Sequence, residues 1–246
     1  GVNVTASHNP KEYNGYKAYW DDGAQVLAPH DHGIIEEVGK VTIDDVKFTP
    51  NTDLIEIIGG EMDVDYLMAV KEAMVDQDVI NRQKDLNIVY SPLHGTGRVI
   101  IPAALRTWGF QNIHVVAEQM VVDGNFPTVV SPNPENSEAM TMGMNLGTKL
   151  NADLVIASDP DADRLAIVCR NDKGEWEILN GNQTAMMFSW YIITNKKKLG
   201  QLKGNEFMVK TIVTSELIAD IARKNNVELY DEYTGFKWIA YRIREN

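Results

Sequence analysis

Short apolar runs alternate with amphipathic stretches along most of this chain, and no other feature constrains its fold as strongly. "LNIVY" (86–90), "IHVV" (113–116), "ADLVIA" (152–157), "RLAIVC" (164–169) and "EFMVK" (206–210) read as buried strands. Between them, Val64 to Val79 places Leu67, Val70 and Met74 at helical intervals. "IPAALRTWG" (101–109) ends in a glycine suited to a helix C-cap, and "SEAMTMGMNLGTKL" (137–150) offers Ser137 as an N-cap. "SELIADIARKNN" (215–226) repeats the helical pattern. Strand and helix in alternation imply α/β layers with mostly parallel strands. The polar, proline-containing "DDVKFTPNTD" (44–53) marks a first boundary, and "NDKGEWEILNGNQ" (171–183) reads as a hairpin leading into a new helix. The expected units are therefore 1–52, too short for a domain, 53–176, a full α/β domain, and 177–246, which stops in mid-helix at "WIAYRIREN".

Composition narrows the function. A net charge of −12 argues against nucleic acid or an anionic membrane as main partner, although a locally basic site for a small anion is compatible with it. Cys169 is the one cysteine, so no internal disulfide forms, and its place in "LAIVC" predicts a buried strand thiol. Five scattered histidines do not make a zinc site. No apolar run approaches the roughly 18 residues of a membrane span, and no signal peptide is visible. The resulting expectation is a cytoplasmic protein.

"LVIASDPDADRLAIV" (154–168) carries the most specific chemistry. Asp159, Asp161 and Asp163 follow a buried strand at alternate positions. In an extended turn that spacing aims them to one side. Three carboxylates so close repel unless a cation neutralises them, and oxygen-only ligands select Mg²⁺ before Ca²⁺ or Mn²⁺. An EF-hand would need Gly and Glu where Arg164 and Arg170 stand, and is rejected. An aspartyl-phosphate phosphatase would need Thr or Val in place of Asp163 or Leu165; it stays open as a remote alternative, beside a catalytically silent metal-binding module. Arg164 suits a phosphate, because its planar fork bonds two oxygens at once, or it pairs with the loop's own aspartates.

"TASHNPKEYNGYK" (5–17) sets Ser7, His8 and Lys17 in a loop crowded with turn formers. No G-x-S-x-G elbow surrounds Ser7. A serine that carries a phosphate fits better, since its oxygens would complete a metal shell and small neighbours let amides approach it. This loop resembles the phosphoserine loop of the α-D-phosphohexomutases, "DPDADR" (159–164) their Mg²⁺ loop, and "DEYTGFKWI" (231–239) their sugar-recognition loop in its phosphoglucomutase and phosphopentomutase form, a branch that "SPLHGTG" (91–97) also matches. The motifs stand in family order along the whole chain.

The resemblance implies repeated three-layer α/β/α domains with mixed, mostly parallel sheets around a central cleft, in a chain that is a fragment of a four-domain enzyme. It implies a phosphosugar mutase that moves phosphate between the 1- and 6-positions of a hexose through a bisphosphate intermediate. Ser7 would be the phosphoryl carrier, His8 an orienting group and Lys17 a general acid/base whose pKa must be lowered to serve near neutral pH. Asp159, Asp161 and Asp163, with a phosphoserine oxygen from Ser7, would hold Mg²⁺. Glu232 and Thr234 would bond sugar hydroxyls, with Arg164 on phosphate. A sugar 1,6-bisphosphate would act as activator.

The chain also departs from the family pattern. The family's "GEMSGH" is "DEYTGF" here, so Phe236 replaces a histidine, and Lys237 either takes over its charge or lies on the surface. His94 is read as a turn residue packing domains together or as a substrate contact. The family's phosphate-gripping "SGT" loop is absent from the 246 residues, so the fragment alone is expected to lack useful mutase turnover. Phosphopentomutase and sugar-bisphosphate synthase remain alternatives on the same scaffold.

Overall fold

A computed structural model describes residues 1–246 and contains three sheets. In the first, β1 (Val2–Val4) pairs antiparallel with β2 (Tyr16–Ala18), which sets Asn3 opposite Lys17. The helix α1 (His30–Lys40) follows, then α2 (Gly60–Glu72) and α3 (Gln77–Arg82). The single helix expected over 64–79 is therefore two. The side chain of Asp76 accepts bonds from the amides of Asp78 and Val79 and starts a new helix. A short carboxylate that caps backbone donors interrupts a helix that apolar spacing alone would continue.

The central sheet has the order β4-β3-β5-β6-β7, built from β3 (Asn87–Ser91), β4 (Asn112–Val115), β5 (Leu154–Ser158), β6 (Leu165–Arg170) and β7 (Trp176–Leu179). The β4–β3–β5 half is parallel, joined by crossovers that carry α4 (Gly97–Trp108) and α5 (Ser137–Leu150). The β5–β6–β7 half is antiparallel, because its connections are too short for a crossover. The sheet is thus evenly mixed, and β7 carries it to Leu179, past the boundary expected at 176.

Layering follows from strand alternation. Val89, Val155 and Val168 share a buried core with Ala139 and Met140 of α5. Gly143 permits that approach, since a Cβ there would lie 2.8 Å from Val155 Cγ1. The neighbouring Tyr90 faces the other way, bonding Ser158 Oγ at 2.8 Å beneath the first turn of α4 at Gly97. The result is an α/β/α sandwich. Ser137 is the first residue of α5, with Asn136 in the cap position, so the expected N-cap lies one residue late. Cys169 is a free thiol on β6 but half-buried rather than buried.

Past the central sheet, α6 (Gly181–Lys198) opens with a capping box between Asn180 and Gln183. The parallel pair β8 (Phe207–Thr211) and β9 (Glu228–Glu232) is linked by α7 (Leu217–Lys224), and α8 (Phe236–Glu245) ends the fold. A second, smaller core joins Ile193, Ala222 and Val227. No helix is long and apolar enough to cross a membrane.

Candidate active site

The serine loop is the connection of the β1–β2 hairpin. Its neck closes where the Thr5 amide donates to the Gly15 carbonyl at 3.0 Å. Any side chain at Gly15 would run into the Thr5 carbonyl. Within the loop Ser7 adopts a left-handed backbone (φ 55°), held by its amide donating to Thr5 Oγ1 at 2.8 Å. That conformation is uncommon for a residue with a side chain and marks a position where geometry is imposed. The Ser7 hydroxyl lies 3.2 Å from His8 Nδ1 and donates to Asp159 Oδ2 at 2.7 Å. The hairpin register carries Lys17 back to the same place, where Nζ lies 3.2 Å from Asp161 Oδ2 and 3.5 Å from Asp163 Oδ2.

The acidic loop joins β5 to β6, with Ser158 paired to Leu165. It is a turn rather than the extended segment expected from the spacing. The Ala162 amide donates to the Asp159 carbonyl, and Ala162 has a φ of 60°. The turn converges the three carboxylates all the same, with one oxygen from each within 4.8 Å of the others. Asp159 is fully buried, and one of its oxygens accepts from the Arg164 amide at 2.9 Å. Asp161 accepts from Thr5 Oγ1 through Oδ2, while its Oδ1 is buried with no partner. Buried polar atoms are nearly always satisfied. An orphaned carboxylate oxygen beside two further carboxylates makes an all-oxygen donor set that fits a hard cation.

Charge follows from this packing. Burial pushes the Asp159 carboxyl up to about 6. Burial also favours the neutral form of Asp161, but hydrogen bonds from Asp159, Lys17 and Thr5 outweigh it and hold Asp161 below its usual range. Burial lowers Lys17, yet the bond to Asp161 and the charges of Asp161 and Asp163 prevail and raise it. Lys17 is therefore a held cation here, not the lowered lysine that acid/base work at neutral pH requires. His8 is lowered, first by burial and then by Arg164.

Of the residues expected at the site, the structure gathers Ser7, His8, Lys17, Asp159, Asp161 and Asp163. Arg164 is exposed and makes no ion pair with the loop's aspartates. The 231–239 loop stands apart: no hydrogen bond or ion pair links it to the serine and acidic loops. Glu232 is buried with its carboxylate taken by Arg242, whose Nε lies at 2.6 Å, and Thr234 is exposed. Lys237 Nζ lies 4.0 Å from Asp31 Oδ2 and over the Trp238 ring. His94 is buried inside its turn, both ring nitrogens bonded.

Two contributors lie outside the expected set. Thr5 bonds both the Ser7 amide and Asp161, and its alternate spacing from Ser7 is the only local hint of it. Ser131 donates to the His8 carbonyl at 3.1 Å from far along the chain, with no sequence signal. A cavity of about 340 Å³ opens beside Thr5, Thr96 and Asp161; a larger one, about 760 Å³, lies between Glu135, Asn180–Asn182 and Thr214 and is not lined by the aspartates.

Sequence comparison agrees with this geometry. Profiles described as phosphoglucomutase/phosphomannomutase alpha/beta/alpha domains I, II and III match residues 1–44, 64–174 and 180–246. A phosphoglucomutase of Staphylococcus aureus (strain MRSA252) is 38% identical over 251 residues, covering 100% of this chain and 44% of that protein. The human phosphopentomutase is 33% identical over 254 residues, covering 100% of this chain and 41% of that protein. The chain thus spans less than half the length of these curated relatives. A crystal structure of a phosphoglucomutase/phosphomannomutase family protein from Burkholderia thailandensis shares the fold, with a TM-score of 0.69 at 18% identity over 99% of this chain and 47% of that one. With the three domain profiles falling in order along a chain whose serine and acidic loops meet at one point, this protein belongs to the phosphoglucomutase/phosphomannomutase family of the α-D-phosphohexomutase superfamily.

Proposed function

We propose that the chain supplies the phosphoserine, Mg²⁺ and sugar-recognition loops of an isomerase that moves phosphate between the 1- and 6-positions of a hexose, as glucose 1-phosphate and glucose 6-phosphate. The observation that carries this reading is the 2.7 Å bond between Ser7 Oγ and Asp159 inside the carboxylate cluster. The division into units 1–52, 53–176 and 177–246 belongs to the same proposal, with the second boundary moved past Leu179 so that β7 stays with the central sheet.

Asp159, Asp161 and Asp163 would hold Mg²⁺ with an oxygen of phosphorylated Ser7, and the ion supplies Lewis-acid stabilisation of the transferring group. Ser7 Oγ gives its phosphoryl group to the free hydroxyl of a monophosphosugar, and that hydroxyl's proton passes to a base. Lys17 can serve only once its carboxylate neighbours are otherwise neutralised. The bisphosphate then turns and returns its other phosphoryl group to Ser7. His8 orients the loop, Arg164 with its free guanidinium grips phosphate, and Thr234 and Lys237 read the sugar, joined by Glu232 once its carboxylate turns away from Arg242. A sugar 1,6-bisphosphate loads Ser7 as activator. The likeness to human phosphopentomutase favours a pentose as the second reading.

The test is incubation with Mg²⁺ and glucose 1,6-bisphosphate, then peptide mass spectrometry. One phosphoryl group adds about 80 Da to the peptide bearing Ser7 in the wild type, and none in Ser7→Ala. A wild-type chain that binds Mg²⁺ and stays unmodified overturns the reading.

A further inference from the structure

We propose that the 93–96 turn is a positioning device for the metal loop, in which Gly95 and Thr96 clamp Pro160 and so aim Asp159 and Asp161. This rests on the metal reading above. Pro160 stands between the two aspartates, and its carbonyl belongs to the rigid peptide plane that leads into Asp161. That carbonyl accepts two bonds from one residue: the Thr96 amide at 2.8 Å and the Thr96 hydroxyl at 3.0 Å. Gly95 lies flat against the same proline. A Cβ on Gly95 would meet the Pro160 carbonyl oxygen at 2.5 Å and its Cα closer still, so the two backbones touch only because no side chain intervenes.

The turn that presents these groups is anchored on a buried polar network. Leu93 and His94 both have positive φ (47° and 66°), a backbone that needs outside support in residues with side chains. The His94 amide donates to the Gln119 carbonyl at 2.9 Å. Its ring Nδ1 meets the Val121 carbonyl and its Nε2 the Thr128 hydroxyl, each at 2.8 Å. A carbonyl only accepts, so Nδ1 donates, and in the neutral ring Nε2 accepts from Thr128. Gln119, with no exposed surface, donates to Thr128 at 3.0 Å and closes the circuit. A satisfied buried network of this kind fixes a single arrangement. His94 therefore acts through the turn it stiffens and touches no reacting group.

The test measures Mg²⁺ affinity by titration calorimetry, together with the rise in Tm that Mg²⁺ produces over chelator. Thr96→Val keeps the shape and removes the hydroxyl bond, and should weaken Mg²⁺ binding about three- to tenfold with chelator Tm unchanged. Thr96→Ser should restore affinity to within about twofold of wild type. Gly95→Ala, which must push Pro160 away, should weaken binding by at least about tenfold. A purely structural turn would lower Tm equally with and without Mg²⁺. Should Gly95→Ala fail to fold, the Thr96 pair decides alone. Thr96→Val binding Mg²⁺ as tightly as wild type overturns the clamp and leaves the metal reading standing. Wild type that binds no Mg²⁺ overturns both.

Discussion

Lys17 Nζ lies 3.2 Å from Asp161 Oδ2, with Asp163 Oδ2 at 3.5 Å, so a tethered ammonium lies against two of the three carboxylates of the cluster. A divalent ion entering the cluster must displace the ammonium or bear its repulsion. At an effective dielectric near 20 two unit charges about 4 Å apart interact by about 4 kcal/mol, and solvent screening at this half-buried site reduces that. Lys17→Met should therefore bind Mg²⁺ about three- to tenfold more tightly than wild type in calorimetric titration. Weaker or unchanged binding would mean that the ammonium supports the metal site rather than competing for it.

Asp161 makes the opposite prediction. It has one oxygen shared by Thr5 and Lys17 and one with no partner at all. Asp161→Asn removes a charge from the donor set and places an amide group where a cation would sit. Mg²⁺ affinity should fall at least about tenfold, because hard-cation affinity tracks ligand charge. Melting in chelator should change little, since the lost attraction to Lys17 is offset by relief among the carboxylates. A calorimetric isotherm that overlays wild type would remove Asp161 from the ligand set.

Asp159 sets a pH dependence in the metal-free chain. Burial raises its carboxyl to about 6 from an ordinary value of 3.8. The folded state then holds a proton that the unfolded chain has lost, so this group favours folding below about 4 and the contribution disappears as pH rises through about 6. In chelator the wild-type Tm, measured against Asp159→Asn, should fall between pH 4 and pH 6 and stay level above. Saturating Mg²⁺ should abolish the fall, because the cation takes the place of the proton. A wild-type-minus-variant difference that is flat across that window would show that burial does not penalise the charge on Asp159.

Much of the site was legible because its chemistry is local. Asp159, Asp161 and Asp163 sit in six residues between two apolar strands, and Ser7, His8 and Lys17 share one hairpin, so proximity in sequence enforced proximity in space. The α/β class followed from strands and helices long enough to show their period. What escaped depends on contacts between distant segments. Nothing near Thr96 announces Pro160, 64 residues on, and nothing near Ser131 announces His8. The capture of Glu232 by Arg242 is hidden for the same reason, one residue lying on β9 and the other on α8. Spacing also misjudged two shapes. It implied an extended acidic loop where Ala162 makes a left-handed turn, and one helix where Asp76 caps a second.

Arg242 tests how the 231–239 loop is held. Its Nε and Nη2 lie 2.6 Å and 2.5 Å from Glu232 Oε1, and its guanidinium also stacks over the Tyr230 ring at 5.1 Å. Glu232 is only 8% exposed, so its carboxylate depends on that partner. Arg242→Ala leaves a buried charge uncompensated and also removes the packing of the side-chain stem on β9. The chain should lose about 1–3 kcal/mol, less than for a fully buried pair because Arg242 remains about one-third exposed. The double variant Arg242→Ala/Glu232→Gln should recover part of the loss, since a neutral amide tolerates burial better than an unpaired carboxylate. Urea denaturation of the four chains in this cycle gives the coupling directly. A coupling near zero would mean that Glu232 is not held by Arg242 in solution and is already free to turn toward a sugar hydroxyl.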